Sequence, residues 1–291
     1  MLPMSPKINT TVLMSGADYF ADDSAINPYM DANVAIDPQQ ASEEHNRIKE
    51  ALQTAGVKVV QVPAPSGCQD GVYTANWALV RGKNAVLSTL PNARTAEEAY
   101  AEKVLTSLGK TVHKVPDGLH FSGQGDALPC GKYLFAGSGY RTDAAAHKFL
   151  ADTLGYEVIT LQAIPQVDSD GKPVINSVSG WPDSFFYDID LALSVLRPDL
   201  IAWCPDAFTS QSQERLRALP IDKIEVSFEE ATKGYACNLV STGETVIMSA
   251  HAPQFQAAIE AKGLKTVPLA FTELPKGGGF IRCTTLTLDN E

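Results

Sequence analysis

One repeat constrains this chain more than any other feature: an amphipathic helix signal followed at once by a short β-branched run, five times over. The copies run from Ser42 to Gly56 then Val57 to Val62, from Thr95 to Gly109 then Lys110 to Val115, and from Thr142 to Gly155 then Tyr156 to Leu161. The last two run from Thr209 to Pro220 then Asp222 to Ser227, and from Ala252 to Gly263 then Leu264 to Leu269. Each is preceded by strand-like runs: Thr11 to Met14, Ala78 to Leu90, Lys132 to Ala136, Leu200 to Cys204 and Cys237 to Met248. Four of the helix signals open at or beside a Ser or Thr suited to capping, and four close on a Gly suited to the left-handed helix end. From Gly56 to Gly263 the copies recur at a mean of roughly 52 residues, a period typical of propellers and arrays. The pattern predicts an α/β fold, a closed five-bladed propeller of ββαβ-like modules, as a single domain over residues 1–291. An open α/β sheet of irregular units is the other reading of the same pattern. The stretch from Ile164 to Ser184, rich in Gly, Pro, Asp and Ser, reads as a hairpin or loop inserted at the rim.

Composition narrows the function classes. The chain is 44% hydrophobic and 20% charged, as expected of a globular protein, and its 23 basic against 34 acidic residues give a net charge of −11. No basic excess is available to displace counterions, so nucleic acid and an acidic membrane surface are disfavoured partners. Thr11 to Met14 is too short for a signal-peptide core or a membrane span, and a cytoplasmic location is expected. Five cysteines form no CxxC pair, which argues against a disulfide framework and a zinc site. There is no P-loop, no GxGxxG after a strand and no HExxH, so no metal or organic cofactor is indicated. The expected partner is a small amino acid, and a homo-oligomer is left open.

In a propeller the ligand site lies where turns from different modules converge. Six polar clusters stand at such junctions: Ile26 to Met30, Tyr73 to Trp77, Phe121 to Asp126, Gly139 to Asp143, Phe186 to Asp190, and Gly277 to Thr284. In the last, three glycines bring the backbone close to something and leave amides unobstructed, and Cys283 follows. Amides and Arg282 suit it to be a nucleophile; a buried Cys after a tight turn is the alternative. Asp188 and Asp190, two apart in an expected strand, project from one face and would titrate jointly, or else one is solvated and the other caps the next run. Asp126 suits either a cation or a turn. Arg94 and Arg141 precede helices and suit a carboxylate, although a solvated Arg is common. Of the histidines, only His120 and His251 are placed to reach a central site.

Taken together, GGGFIRC, FSGQGDAL, FYDIDLAL, TANWALV, INPYM and the five modules resemble, over nearly the whole chain, the guanidine-modifying superfamily. That group includes arginine deiminases, dimethylarginine dimethylaminohydrolases, arginine dihydrolases and glycine amidinotransferases. The resemblance implies the five-bladed pentein propeller and a covalent thiouronium intermediate on Cys283. Asp190 matches the acid of the family's His-x-Asp, and Arg94 and Arg141 resemble the pair that binds the substrate's α-carboxylate. Asn27 and Asn76 resemble the two asparagines of the dihydrolase branch, whose INPWM and TANAG segments read closely here. The family's histidine falls on Asp188, and the Glu usual in FEGxGD falls on Ser122.

An aspartate of ordinary pKa is a poor acid at neutral pH, and losing a general acid or base costs roughly 10² to 10⁴ in rate. The expected compensation is a guanidinium held among Asp126, Asp188 and Asp190, with His251 or water moving protons. The resemblance therefore implies a cysteine-dependent hydrolase or amidinotransferase acting on the guanidine of a small arginine-like amino acid. The alternative is a diverged propeller that binds an amino acid without turning it over.

Overall fold

A computed structural model describes residues 7–31 and 33–291. Its strands and helices run in the order β1 (Thr11–Met14), α1 (Pro38–Thr54), β2 (Lys58–Gln61); β3 (Ala78–Arg81), β4 (Asn84–Leu87), α2 (Ala96–Ser107), β5 (Thr111–Lys114); β6 (Ala127–Cys130), β7 (Tyr133–Gly137), α3 (Ala146–Leu154), β8 (Glu157–Leu161). They continue with β9 (Leu193–Arg197), β10 (Leu200–Trp203), α4 (Ser210–Ala218), β11 (Asp222–Glu225), α5 (Phe228–Lys233), β12 (Val240–Ser241), β13 (Thr245–Ser249), α6 (Pro253–Ala261), β14 (Lys265–Leu269) and β15 (Leu286–Thr287). The strands form five separate sheets of three. In each, a first strand pairs antiparallel with a second, and the strand after the helix pairs parallel with that second strand. The fifth sheet closes the ring: β15 supplies the first strand to β1 and β2, with Val12 opposite Thr287. First strands neighbour one another, β3 against β15 and β9 against both β6 and β12, so they line the propeller's centre.

This topology divides the molecule into two ends. The tight turns between first and second strands gather at one end, whereas the segments entering first strands and leaving second strands gather at the other. Short sheets without covered faces are stable only if both faces pack. Accordingly, all five second strands and their helices bury apolar side chains, among them Ile48 and Leu52 of α1, each contributing about 1.5–3 kcal/mol of burial. Pro268 sits in β14, an edge strand, where a missing N–H is tolerated.

The four glycines expected to end helices do so, with Gly56, Gly109, Gly155 and Gly263 all at positive φ between 73° and 86°. The helix starts differ from expectation. The first helix begins at Pro38, capped by Asp37, whose carboxylate accepts from the N–H groups of Gln39 and Gln40 at 3.0 Å. Thr95 and Thr209 make no side-chain cap. The third helix starts at Ala146, because the Thr142 hydroxyl is engaged across the structure by the N–H of Ser122 at 3.2 Å. Residues 164–184 form the expected hairpin, bridged at Val167–Pro173 and Ile175–Pro182. No described helix is long and apolar enough to cross a membrane.

Candidate active site

The residues entering the first strands supply the site. Asn76 lies on a 3₁₀ turn (Thr74–Trp77) leading into β3, Asp190 on another (Ile189–Leu191) leading into β9, and Cys283 just before β15. Asp188 and Asp190 thus occupy an extended residue and a helical turn, not one strand as expected. Both are nevertheless fully buried beside one another. The equivalent position before β12 is Asn238, which none of the expected clusters included. Its Oδ1 accepts from the backbone N–H groups of Arg282 and Cys283 at 3.0 and 3.2 Å, and its Nδ2 donates to Cys283 Sγ at 3.2 Å.

Cys283 Sγ also lies 3.4 Å from Asp190 Oδ2. Burial pushes the thiol well above its usual range, with Asp190 and Asp188 adding to the effect and the Phe280 backbone and Asn238 opposing it. Asp190 is likewise pushed up, by burial first and then by Asp188. Each group therefore resists ionisation while the other is charged, and the pair holds protons jointly.

The three glycines answer to packing. A Cβ at Gly277 would lie 2.3 Å from Tyr73 Oη, and one at Gly278 only 2.4 Å from Asn27 Oδ1. The carbonyls of this loop accept from side chains: Leu274 from Tyr73, Pro275 from Tyr235, Gly277 from Asn27 and Gly278 from Tyr187. Glu44, buried on α1, accepts from the N–H groups of Thr272, Glu273 and Leu274. The close approach inferred from the glycines is to these side chains, and Arg282 makes no contact with the sulfur, although its charge acts on both Asp190 and Cys283. Its guanidinium turns toward the opposite end, onto the hydroxyl of Thr287 at 3.1 Å.

Beside Cys283 is a buried crevice of about 10 Å³ lined by Ile26, Asn27, Asp70, Tyr73, Asn76, Arg94, Arg141, Tyr187 and Gly277. That is room for about one water. Six residues expected in the site therefore meet here: Cys283, Asn27, Asn76, Arg94 and Arg141 on the wall, and Asp188 just behind Asn76. Asn76 Nδ2 donates to Asp188 Oδ2 at 2.7 Å while its Oδ1 accepts from Arg94 Nη1 at 2.9 Å, which fixes the amide's orientation. Arg94 grips Glu97 through Nε and Nη2 at 2.8 and 2.7 Å and gives its other Nη2 hydrogen to the carbonyls of Asp70 and Tyr73. One Nη1 hydrogen is left for a ligand, so Arg94 is a minor half of the expected clamp. Arg141 is freer: it stands 3.7 Å from Asp188, stacks 4.0 Å over the Tyr187 ring and makes one long bond to Ile26 O.

Two expected ligand contacts stand behind the wall. Asp126 accepts from the Ile189 N–H at 3.0 Å and so holds the turn carrying Asp188 and Asp190, and Ser122 accepts from Asn76 Nδ2 at 3.0 Å. His251 lies outside the site, beside Glu229 and Lys233, and His120 pairs with Asp143 at the rim; neither can move protons at Cys283. Asp70 is a lining residue the sequence reading missed. Burial raises its pKa to about 6, and its Oδ1 has no partner among the described residues, as is true of Asp188 Oδ1 and Asp190 Oδ1. One orphaned carboxylate oxygen on the crevice wall, with two more on the carboxylates behind Asn76 and Cys283, suits the region to a cation with several N–H donors.

The family profile for N,N dimethylarginine dimethylhydrolase, eukaryotic, matches residues 17–289. An N(G),N(G)-dimethylarginine dimethylaminohydrolase of Mycobacterium tuberculosis is 33% identical over 94% of this chain and 84% of its own length. The bifunctional arginine dihydrolase/ornithine cyclodeaminase ArgZ of Synechocystis is 30% identical over 94% of this chain, which spans only 37% of that protein. The solved N-terminal domain of ArgZ superposes with a TM-score of 0.86 at 29% identity, covering 97% of this chain and 98% of that one. A Pseudomonas aeruginosa dimethylarginine dimethylaminohydrolase, 20% identical with a TM-score of 0.74 over 96% of this chain and 99% of that one, shares the fold. The chain belongs to the dimethylarginine dimethylaminohydrolase family of the guanidine-modifying superfamily.

Proposed function

We propose that this protein hydrolyses a guanidino C–N bond of an arginine-like amino acid through a covalent intermediate on Cys283. The observation that carries the reading is the contact of Cys283 Sγ with Asp190 at 3.4 Å and Asn238 at 3.2 Å, beside a crevice with Arg141 and an orphaned Asp70 oxygen. The relatives, by their names, act on dimethylarginine and arginine. Arg141, with the free Nη1 hydrogen of Arg94, takes the α-carboxylate, Asp70 the α-ammonium, and Asp188 and Asp190 the guanidinium.

The resting thiol is protonated, so the substrate's own cation supplies the missing stabilisation of the thiolate. The guanidinium first displaces to solvent the proton that burial keeps on Asp190; the thiol proton then passes to the freed carboxylate, Sγ attacks the guanidino carbon, and Asn238 Nδ2 stabilises the sulfur until the C–S bond forms. Collapse breaks one C–N bond, and Asp190 returns its proton to the departing amine. The thiouronium is then attacked by water, whose proton Asp190 accepts; the C–S bond breaks, Cys283 is reprotonated and a ureido product leaves. Asp190, held high by burial, thus takes the role that the family's histidine would fill. The crevice must open to admit substrate, and Ile26 and Asn27 lie on the wall best able to move, a connection from β1 to α1 without strand or helix. The five free, buried cysteines support a reducing compartment such as the cytoplasm.

The test is product formation by mass spectrometry from arginine, methylated arginines, agmatine and guanidino acids. A product that disappears in Cys283→Ala, with the variant still folded, is expected. Turnover that survives the substitution refutes the covalent step, and ligand-induced thermal stabilisation without any product favours the non-catalytic binder.

A further inference from the structure

A second cavity, of about 450 Å³, opens at the opposite end of the propeller, among the tight turns that join first to second strands. It is far roomier than the crevice beside Cys283, and its polar groups are incompletely satisfied. Arg282 lines it with only 6% of its surface exposed, and no carboxylate lies within 4 Å of its guanidinium among the described residues. Its side-chain bonds are to the hydroxyls of Thr287 at 3.1 Å and Thr285 at 3.5 Å. A buried cation without a counter-ion is unfavourable, and burial accordingly pulls its pKa down to about 10. Two further lining atoms, Ser194 Oγ and Asp289 Oδ1, are buried without a hydrogen-bond partner among the described residues, the other Asp289 oxygen accepting from Thr10. Leu128, Val195 and Leu239 supply apolar wall.

We propose that this cavity is a second small-molecule site, which takes a zwitterionic α-amino acid with an aliphatic side chain and lowers turnover when filled. A carboxylate satisfies Arg282, an ammonium satisfies Asp289, and the aliphatic part covers the apolar wall. The route to the nucleophile is one residue long. Arg282 and Cys283 hang their backbone N–H groups on the same Asn238 Oδ1, and the Arg282 charge is felt at both Asp190 and Cys283. A carboxylate bound to Arg282 cancels that charge and disfavours the thiolate. The binding site does not rest on the proposed reaction; the effect on turnover does.

The experiment titrates L-valine, which lacks a guanidine, into the full chain by calorimetry, alongside Asp70→Asn, Val195→Phe and Arg282→Gln. One saturable site is expected in the wild type and in Asp70→Asn. Val195→Phe, which fills the cavity from its wall, should abolish binding, and Arg282→Gln should weaken it by about 10- to 100-fold. No saturable binding at millimolar ligand overturns the site, and so does binding that Asp70→Asn removes and Val195→Phe spares, which places the ligand in the crevice. For the effect on turnover, L-valine should lower kcat for a guanidino substrate in the wild type and not in Val195→Phe. Saturable binding without that loss overturns the coupling and leaves the site standing.

Discussion

Asp190→Asn separates two effects that most active-site substitutions confuse. The replacement keeps the shape of a fully buried side chain and removes its charge and its exchangeable proton. A full negative charge 3.4 Å from Cys283 Sγ opposes the thiolate by about 5 kcal/mol at an effective dielectric near 20, an upper limit because Asp190 is itself pushed toward its protonated form. At 1.36 kcal/mol per tenfold, removing it should raise the thiolate fraction at neutral pH by up to roughly three and a half powers of ten. Turnover should move the other way, falling by about 10² to 10⁴ as the proton carrier is lost. The assay pairs steady-state product formation with the rate of Cys283 alkylation by iodoacetamide, read by peptide mass spectrometry. Faster alkylation with slower turnover is expected. If alkylation slows together with turnover, Asp190 promotes the thiolate and the electrostatic assignment is wrong; if turnover is unchanged, Asp190 carries no proton in the reaction.

Asp70 holds its proton to about pH 6 when folded against about 3.8 when unfolded, so folding takes up a proton between those values. Its contribution is therefore fully present below pH 4 and about 3 kcal/mol of stability is lost as pH rises through 6. Urea unfolding of Asp70→Asn should show a gain over wild type at pH 7.5 that vanishes at pH 4, and a variant less stable at both would contradict the account. Gly278 sits at φ +87° with Asn27 against the position its Cβ would take, so Gly278→Ala should cost about 1–3 kcal/mol in urea unfolding and displace Asn27 from the crevice. Unchanged stability together with unchanged KM would show that the glycine loop is free to move.

The propeller is readable because the blades repeat two strong signals, a helical face in all five and, in four of them, a glycine in the left-handed conformation after it. Those signals come from local backbone preference and burial, and the structure keeps both at Gly56, Gly109, Gly155 and Gly263. Helix beginnings were misread for the opposite reason. Ser42 and Thr142 have the right chemistry for caps, yet Asp37 with Pro38 outcompetes the first, and Ser122, in the segment leading into the same blade, engages the second. In the site, Cys283, Asn76 and Arg141 stood out because they fall in polar clusters at module junctions. Asn238 and Asp70 did not, since Asn238 is a single polar residue among Cys237, Leu239 and Val240, and Asp70 precedes its cluster by three residues. Only the five-fold register, which puts a residue just before each first strand, points to Asn238. His251 was chosen by sequence position before a helix, and the second strand of its blade delivers it to the outside.

By the resemblance read from the sequence, Asp188 falls where the family carries a histidine, and an aspartate there changes where the site keeps its charge. A buried ladder runs from Glu97 to Arg94, through the Asn76 amide to Asp188, and on to Arg141. It balances two acids against two cations, and Asp188 is committed to Asn76 and Arg141 rather than to moving protons. Asp126, Asp190 and Asp70 are left over, and burial drives all three toward the neutral form. The empty crevice is thus close to electroneutral only because protons occupy the sites that a cationic substrate would neutralise. On the proposed assignment, substrate binding and proton displacement become one event: a guanidinium against Asp190 makes its carboxylate available to the thiol, and an ammonium on Asp70 releases a proton there. A histidine at position 188 would bring its own positive charge on protonation and would need no such exchange. On that assignment, an aspartate at position 188 shifts the activation of Cys283 from a resident histidine to the ligand's own charge, which protects a buried thiol from reacting until the correct cation is beside it.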